Sequence, residues 1–110
     1  MEIIESKQGE ASVFKILGRL DSNTSPELEE KIAETVNNGT TNMVIDFESL
    51  EYISSAGLRI ILKTTKDLKR HDGQLVLCSM QDYVREVFEI SGFDSFLPIA
   101  ATLDEALKKL

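Results

Sequence analysis

The sequence predicts an α/β fold, a single domain over residues 1–110 in which helices pack against a mixed, mostly parallel sheet of about four to five strands. Three observations predict it. Short apolar runs typical of buried strands alternate with longer segments whose apolar residues recur at helical spacing. Residues typical of helix caps and turns separate these segments. The length of 110 residues and the hydrophobic content of 42% suit one domain with one core.

The chain is predicted to start with a β-hairpin that leads into a helix. Residues 12–20 are rich in apolar side chains and indicate a strand, which a turn across residues 8–9 pairs with an earlier strand around Ile3. Ser25 is the expected N-cap of the first helix, because Pro26 suits the first helical position.

The central segments predict a buried strand and a second helix. An Asn-Gly pair at 38–39 ends the first helix, and residues 43–47 form an apolar run suited to a strand covered on both faces. A link then leads to Ser54 and Ser55, where the second helix begins, and this helix ends at residues 71–73. Its inward side is expected to consist of Leu58, Ile61, Leu62, Thr65 and Leu68.

The last third of the chain predicts two more strands and two more helices. Residues 75–78 indicate a buried strand in which the only cysteine acts as a small core hydrophobe. Ser79 is expected to cap the third helix. Residues 96–100 form a short strand, placed at a sheet edge because a proline interrupts it. Thr102 and Glu105 make a capping box for the closing amphipathic helix.

Composition disfavours several classes of partner. The net charge of -7 would repel the phosphate backbone of a nucleic acid, so no direct nucleic-acid partner is expected. No segment approaches the roughly 20 apolar residues of a membrane span, and the amino terminus lacks the pattern of a signal peptide. We therefore expect no membrane partner and a cytoplasmic location.

The sequence predicts a site where two loops leave the carboxyl ends of strands. One delivers Ser54 and Ser55 to the start of the second helix, and residues 18–24, with Asp21 and Asn23, enter the first helix. If the two strands are neighbours, these loops converge. Free N–H groups and the helix dipole at such a start favour an added anion such as a phosphate ester on serine. The alternative is that Ser55 only caps its helix and that Asp21 and Asn23 only form Asx turns.

Hydrolytic catalysis is disfavoured by the residues around Ser55. The segment 53–57 lacks the first glycine of a nucleophile elbow, and His71, the only histidine, lies about 20 Å or more away along the helix. No phosphate-binding glycine motif and no histidine or cysteine cluster occurs. We therefore expect no catalytic residue, no metal site and no cofactor, and we expect that the chain is not an enzyme.

Several short segments carry a resemblance that spans nearly the whole chain. They are GRLD at 18–21, VIDF at 44–47, YISSAGL at 52–58, GQL at 73–75, and VREVF at 84–88 followed by SGF at 91–93. In this order and spacing they resemble the bacterial anti-sigma factor antagonists, whose fold is the STAS domain.

The resemblance implies a regulatory binding protein. In that family the serine at the position of Ser55 is phosphorylated by a partner serine kinase that doubles as an anti-sigma factor and supplies ATP and magnesium. The unmodified protein binds this kinase and releases a sigma factor, and a metal-dependent, PP2C-type serine phosphatase resets the cycle. The implied partner-binding residues are Asp21, Ser22, Asn23, Thr24, Ser54, Ser55, Ala56, Gly57 and Arg59.

Two positions depart from the family pattern, and two other functions compete with it. This chain has Ser54 where many members carry aspartate, and Arg59 where a small residue is frequent.

The first rival is a STAS interaction module that binds a nucleotide, a lipid or a scaffold protein without a phosphorylation cycle, because one fold hosts many functions. The second rival is a small hydrolase that uses Ser55.

Overall fold

The computed structural model describes residues 1–110 and shows six strands and four α-helices. In chain order they are β1 (Glu2–Gln8), β2 (Ala11–Leu20), α1 (Ser25–Asn37), β3 (Asn42–Asp46), β4 (Leu50–Ile53), α2 (Ser55–Arg70), β5 (Gln74–Cys78), α3 (Asp82–Ile90), a short 3-10 helix (Phe93–Ser95), β6 (Ile99–Ala100) and α4 (Leu103–Lys108). None of these helices combines the length and the apolar character needed to cross a membrane.

The six strands form one mixed sheet, which confirms the predicted α/β class. The strand order is β1-β2-β3-β5-β6, and β4 pairs with the carboxyl end of β2. Only the β1–β2 hairpin is antiparallel, and every other pairing is parallel. The last strand lies at the edge of the sheet, as predicted, but it is shorter than the predicted 96–100: β6 has only two residues and begins after Pro98.

Helices cover both faces of the sheet. On one face, α1, α2 and α3 bury a cluster of 18 apolar residues against the strands. On the other face, α4 covers a smaller cluster of six that includes Val44 and Val76. Residues 43–46 of β3 are all buried, as expected for a strand covered on both sides.

The strand β4 is missing from the sequence prediction, which placed a link there. Leu50 and Ile53 are both buried although they are three residues apart, and Glu51 and Tyr52 between them are both exposed. A regular strand would place residues three apart on opposite faces. The pairing with β2 shifts register after Gly18, so that Glu51 has no partner and the alternation is broken.

One predicted helix cap is wrong and another is confirmed. The N-cap of α1 is Thr24, and Ser25 is already helical, with its hydroxyl donating to the carbonyl of Asp21 at 2.6 Å. The prediction failed because the proline-at-N1 pattern locates a helix start only to within a residue. Thr102 caps α4 as expected, and its hydroxyl accepts from the backbone N–H of Glu105 at 3.2 Å.

The predicted cap of α3 is also wrong. The N-cap is Gln81. Ser79 instead directly follows β5, has a positive φ of 62°, and donates its N–H to the backbone carbonyl of Ala100 at 3.2 Å. Cys78, just before it, is fully buried, and this burial raises the pKa of its thiol to about 11. The cysteine is therefore a core residue with little thiolate character.

We predict that Gly73→Ala destabilises the fold. A Cβ atom at this position would lie 1.8 Å from the backbone oxygen of Thr41, so the turn between α2 and β5 must shift. The expected loss is about 2 to 3 kcal/mol of unfolding free energy, measured by urea denaturation. The control is Gly9→Asn, because Gly9 has a positive φ that asparagine tolerates and a Cβ added there would meet no atom within 4 Å. A control that loses as much as Gly73→Ala would contradict the explanation.

Candidate functional site

Two neighbouring serines at the start of α2 have different roles. Ser54 is the N-cap, and its hydroxyl accepts from the backbone N–H of Gly57 at 3.4 Å while its carbonyl accepts from Leu58 at 3.0 Å. Ser55 is the first helical residue and is exposed. The backbone N–H groups of Ser55 and Ala56 make no hydrogen bond within the chain. The alternative in which Ser55 caps the helix is therefore wrong, and its hydroxyl is free.

The loop before α1 is organised around Asp21. One carboxylate oxygen accepts from the backbone N–H groups of Asn23 at 3.0 Å and Thr24 at 3.2 Å, which is an Asx turn. Partial burial acts to raise the pKa of Asp21, but these bonds, the Thr24 hydroxyl and the Arg19 guanidinium together hold it below its ordinary value. The other carboxylate oxygen lies 3.8 Å from Arg19 Nε. Asp21 is thus a fixed negative charge at neutral pH.

The two loops converge, as predicted, because β2 and β4 are parallel neighbours. Leu20 pairs with Ile53 at the end of the two strands, and the backbone N–H of Ser54 donates to the carbonyl of Leu20 at 2.9 Å. Asp21 and Ser54 directly follow this last pair. Gly57 lets the helix approach closely, since a Cβ there would come within 2.8 Å of Ile53 and 2.9 Å of Leu20.

The predicted partner-binding residues divide by exposure. The exposed members are Ser22, Asn23, Ser55 and Arg59. The partly exposed members are Asp21, Thr24, Ser54 and Ala56. Gly57 is buried, so its part in this surface is to allow the close helix packing and to donate its N–H to the cap. Arg59 lies one helical turn after Ser55 and makes no ion pair.

A concave feature lies away from these loops, in the groove between α1 and α2. Lys63 and Glu29 form an ion pair across it, and His71 lies at its end. The hydrogen bond and the charge of Glu29 raise the pKa of Lys63, so this lysine is engaged with a carboxylate. The groove therefore offers few free cationic groups for the phosphates of a nucleotide. No group of three or more acidic, histidine or cysteine side chains suited to a metal ion is present.

Comparison with known proteins places the chain in a family. The sequence pattern of the STAS domain family matches residues 3–106 of this chain. The chain belongs to the STAS domain family. Within it, the Bordetella bronchiseptica protein BtrV, assigned as an anti-sigma factor antagonist, is 45% identical over 89 residues, which cover 81% of this chain and 77% of BtrV. The anti-sigma-B factor antagonist of Staphylococcus aureus is 32% identical over 85 residues, which cover 77% of this chain and 79% of that protein.

The fold of this STAS domain is also that of solved anti-sigma factor antagonists. The phosphorylated form of SpoIIAA, a Bacillus cell fate determinant, superposes with a TM-score of 0.77 at 24% identity and covers 98% of each chain. The two sequence relatives place the chain in the anti-sigma factor antagonist family, whose members are regulatory binding proteins and not enzymes.

We predict that Ser54→Ala weakens the start of α2 more than Ser55→Ala does. Losing the Ser54 cap should cost about 0.5 to 1 kcal/mol of unfolding free energy, since this cap bond is long. Ser55→Ala removes an exposed hydroxyl without a partner and should cost less than about 0.5 kcal/mol. Ser54→Asp should restore the cap. Urea denaturation of the three variants measures this order, and a larger loss in Ser55→Ala would contradict the assignment of the cap.

Proposed function

We propose that this antagonist works through a phosphorylation cycle on Ser55. The unphosphorylated protein binds an anti-sigma factor that is also a serine kinase and thereby releases a sigma factor. Phosphorylation of Ser55 by that kinase ends the interaction. The observation that carries the proposal is the free, exposed hydroxyl of Ser55 at the first position of α2. Ser55 lies beside Ser54, which caps the helix, and next to the Asp21 loop.

The free protein can hold a phosphate on Ser55 at little cost. The unpaired N–H groups of Ser55 and Ala56 and the positive end of the α2 dipole favour a negative charge at this point. Arg59 lies four residues further along the helix, on the same face, and its guanidinium is exposed. Phosphorylation is therefore expected to leave the fold of the antagonist unchanged.

The same phosphate is expected to weaken docking. It adds about 1.5 to 2 negative charges at neutral pH to a protein of net charge -7. The ionised Asp21 already contributes a negative charge to this end of the sheet. A partner surface that is complementary to the uncharged hydroxyl would have to desolvate the phosphate without a matching cation, and this loses binding free energy.

The remaining parts of the cycle belong to the partners. The kinase supplies ATP and magnesium, so the antagonist needs no cofactor of its own. A metal-dependent, PP2C-type serine phosphatase removes the phosphate and restores binding. Because the cycle controls a sigma factor, it is expected to operate in the cytoplasm.

One sequence relative and one structural neighbour support this proposal. The Staphylococcus aureus protein is named for its action on an anti-sigma factor, and this supports an anti-sigma factor as the partner. SpoIIAA, which shares the fold, has been solved in a phosphorylated form, and this supports a phosphorylation cycle on the same scaffold.

We predict that incubation with the cognate anti-sigma kinase, ATP and magnesium adds one phosphate, which mass spectrometry maps to Ser55. Ser55→Ala should bind the kinase but remain unmodified. Ser55→Glu should bind at least about tenfold more weakly than wild type in calorimetry, because like charges and an unpaired buried carboxylate oppose docking.

The matched control is Ser54→Ala, which removes the neighbouring hydroxyl and leaves Ser55 in place. It should still be phosphorylated on Ser55. A phosphate found only at another residue, together with wild-type binding and modification of Ser55→Ala, would refute the site.

A further inference from the structure

The only two tyrosines of the chain lie partly exposed on β4 and α3, which pack against each other. Tyr52 belongs to β4 and is 38% exposed, and Tyr83 belongs to the first turn of α3 and is 41% exposed. The guanidinium carbon of Arg19 lies 4.2 Å from the centre of the Tyr52 ring, which is a cation–π contact. We call these three residues on adjacent elements, Arg19, Tyr52 and Tyr83, the aromatic platform.

The backbone holds the aromatic platform in place. Arg19 and Tyr52 are register partners across β2 and β4. The side chain of Gln81 donates to the backbone carbonyl of Glu48 at 3.0 Å and so fastens the start of α3 to the turn before β4. Burial against its surroundings raises the pKa of Tyr83, the Glu51 carboxylate adds to this rise, and the Arg19 guanidinium opposes it. Helix α3, which carries Tyr83, packs against β4, which carries Tyr52 and Glu51.

The position of the aromatic platform indicates which partner it meets. Tyr52 precedes the Ser54 cap by two residues, and Arg19 precedes Asp21 by two residues. Arg19 and Tyr52 thus lie on the same two strand ends that lead into the Asp21 loop and the Ser55 helix start. A protein that covers Ser55 and the Asp21 loop would lie next to these two residues.

We propose that the aromatic platform is the anchor with which this antagonist holds its anti-sigma factor, while Ser55 controls whether the anchor can engage. This inference rests on the proposed function. Tyrosine and arginine are the residue types most enriched among the side chains that dominate protein–protein binding. The Arg19 contact fixes the Tyr52 ring before binding, which lowers the entropy lost on docking. The complementary partner surface presents an apolar side chain to the rings and acceptors to the phenol hydroxyls.

The test compares platform variants in binding to the anti-sigma factor by surface plasmon resonance. Tyr52→Ala and Tyr83→Ala should each weaken binding by roughly thirtyfold, mainly through faster dissociation. Phe96→Ala is the matched control, because Phe96 is an aromatic side chain that is 50% exposed, outside the platform, in the link between α3 and β6. It should bind within about twofold of wild type, as expected for a side chain outside the contact.

A further variant distinguishes weaker docking from a loss of folding. Tyr83→Lys keeps a good helix former at an exposed position and should block docking by the same amount without lowering the thermal midpoint. If all variants bind within twofold of wild type, or if Phe96→Ala loses as much as they do, the aromatic platform is not the anchor. These results would leave the proposed function intact, provided that phosphorylation of Ser55 still ends binding. Failure of the wild-type protein to bind any anti-sigma factor would instead refute the proposed function.

Discussion

The parallel pairing of β4 with the end of β2 is the constraint on which the site depends. It aligns Leu20 with Ile53, so the Asp21 loop and the Ser55 helix start leave the sheet side by side. Helix α2 packs against both of these side chains at a distance that leaves no room for a Cβ atom at position 57, and Gly57 makes this close approach possible. A short strand and one residue without a Cβ thus hold the two loops of the candidate site together.

The first turn of α2 assigns its two serine hydroxyls differently. Ser54 caps the helix, so the hydroxyl of Ser55 is free for chemistry, and modifying it removes no hydrogen bond from the fold. The unpaired N–H groups at this turn can accommodate a charge in the free protein, whereas a docked partner surface must desolvate it. A phosphate at this point can therefore change association strongly while it changes stability little.

The register shift in β4 gives this short strand a second use. Because Glu51 has no partner across the strands, Leu50 and Ile53 both reach the core, and Tyr52 next to Glu51 points outward. The same irregularity thus completes the core and leaves an aromatic ring exposed. Arg19 on β2 then stacks on that ring, which joins the aromatic platform to the Asp21 loop.

Local patterns in the sequence determined the α/β class, the order of the main strands and helices, and the neighbourhood of Ser55 and Asp21. Apolar periodicity and the geometry of parallel strands are enough for these features. Only the tertiary structure decided that Leu50–Ile53 is a strand, that Ser54 is the cap, and that Arg19 lies over the ring of Tyr52. The physical reason for the missed strand is that its two apolar side chains are three residues apart, whereas a strand is recognised by apolar side chains two residues apart. A helix cap or an aromatic contact depends on backbone positions that segments distant in the chain determine.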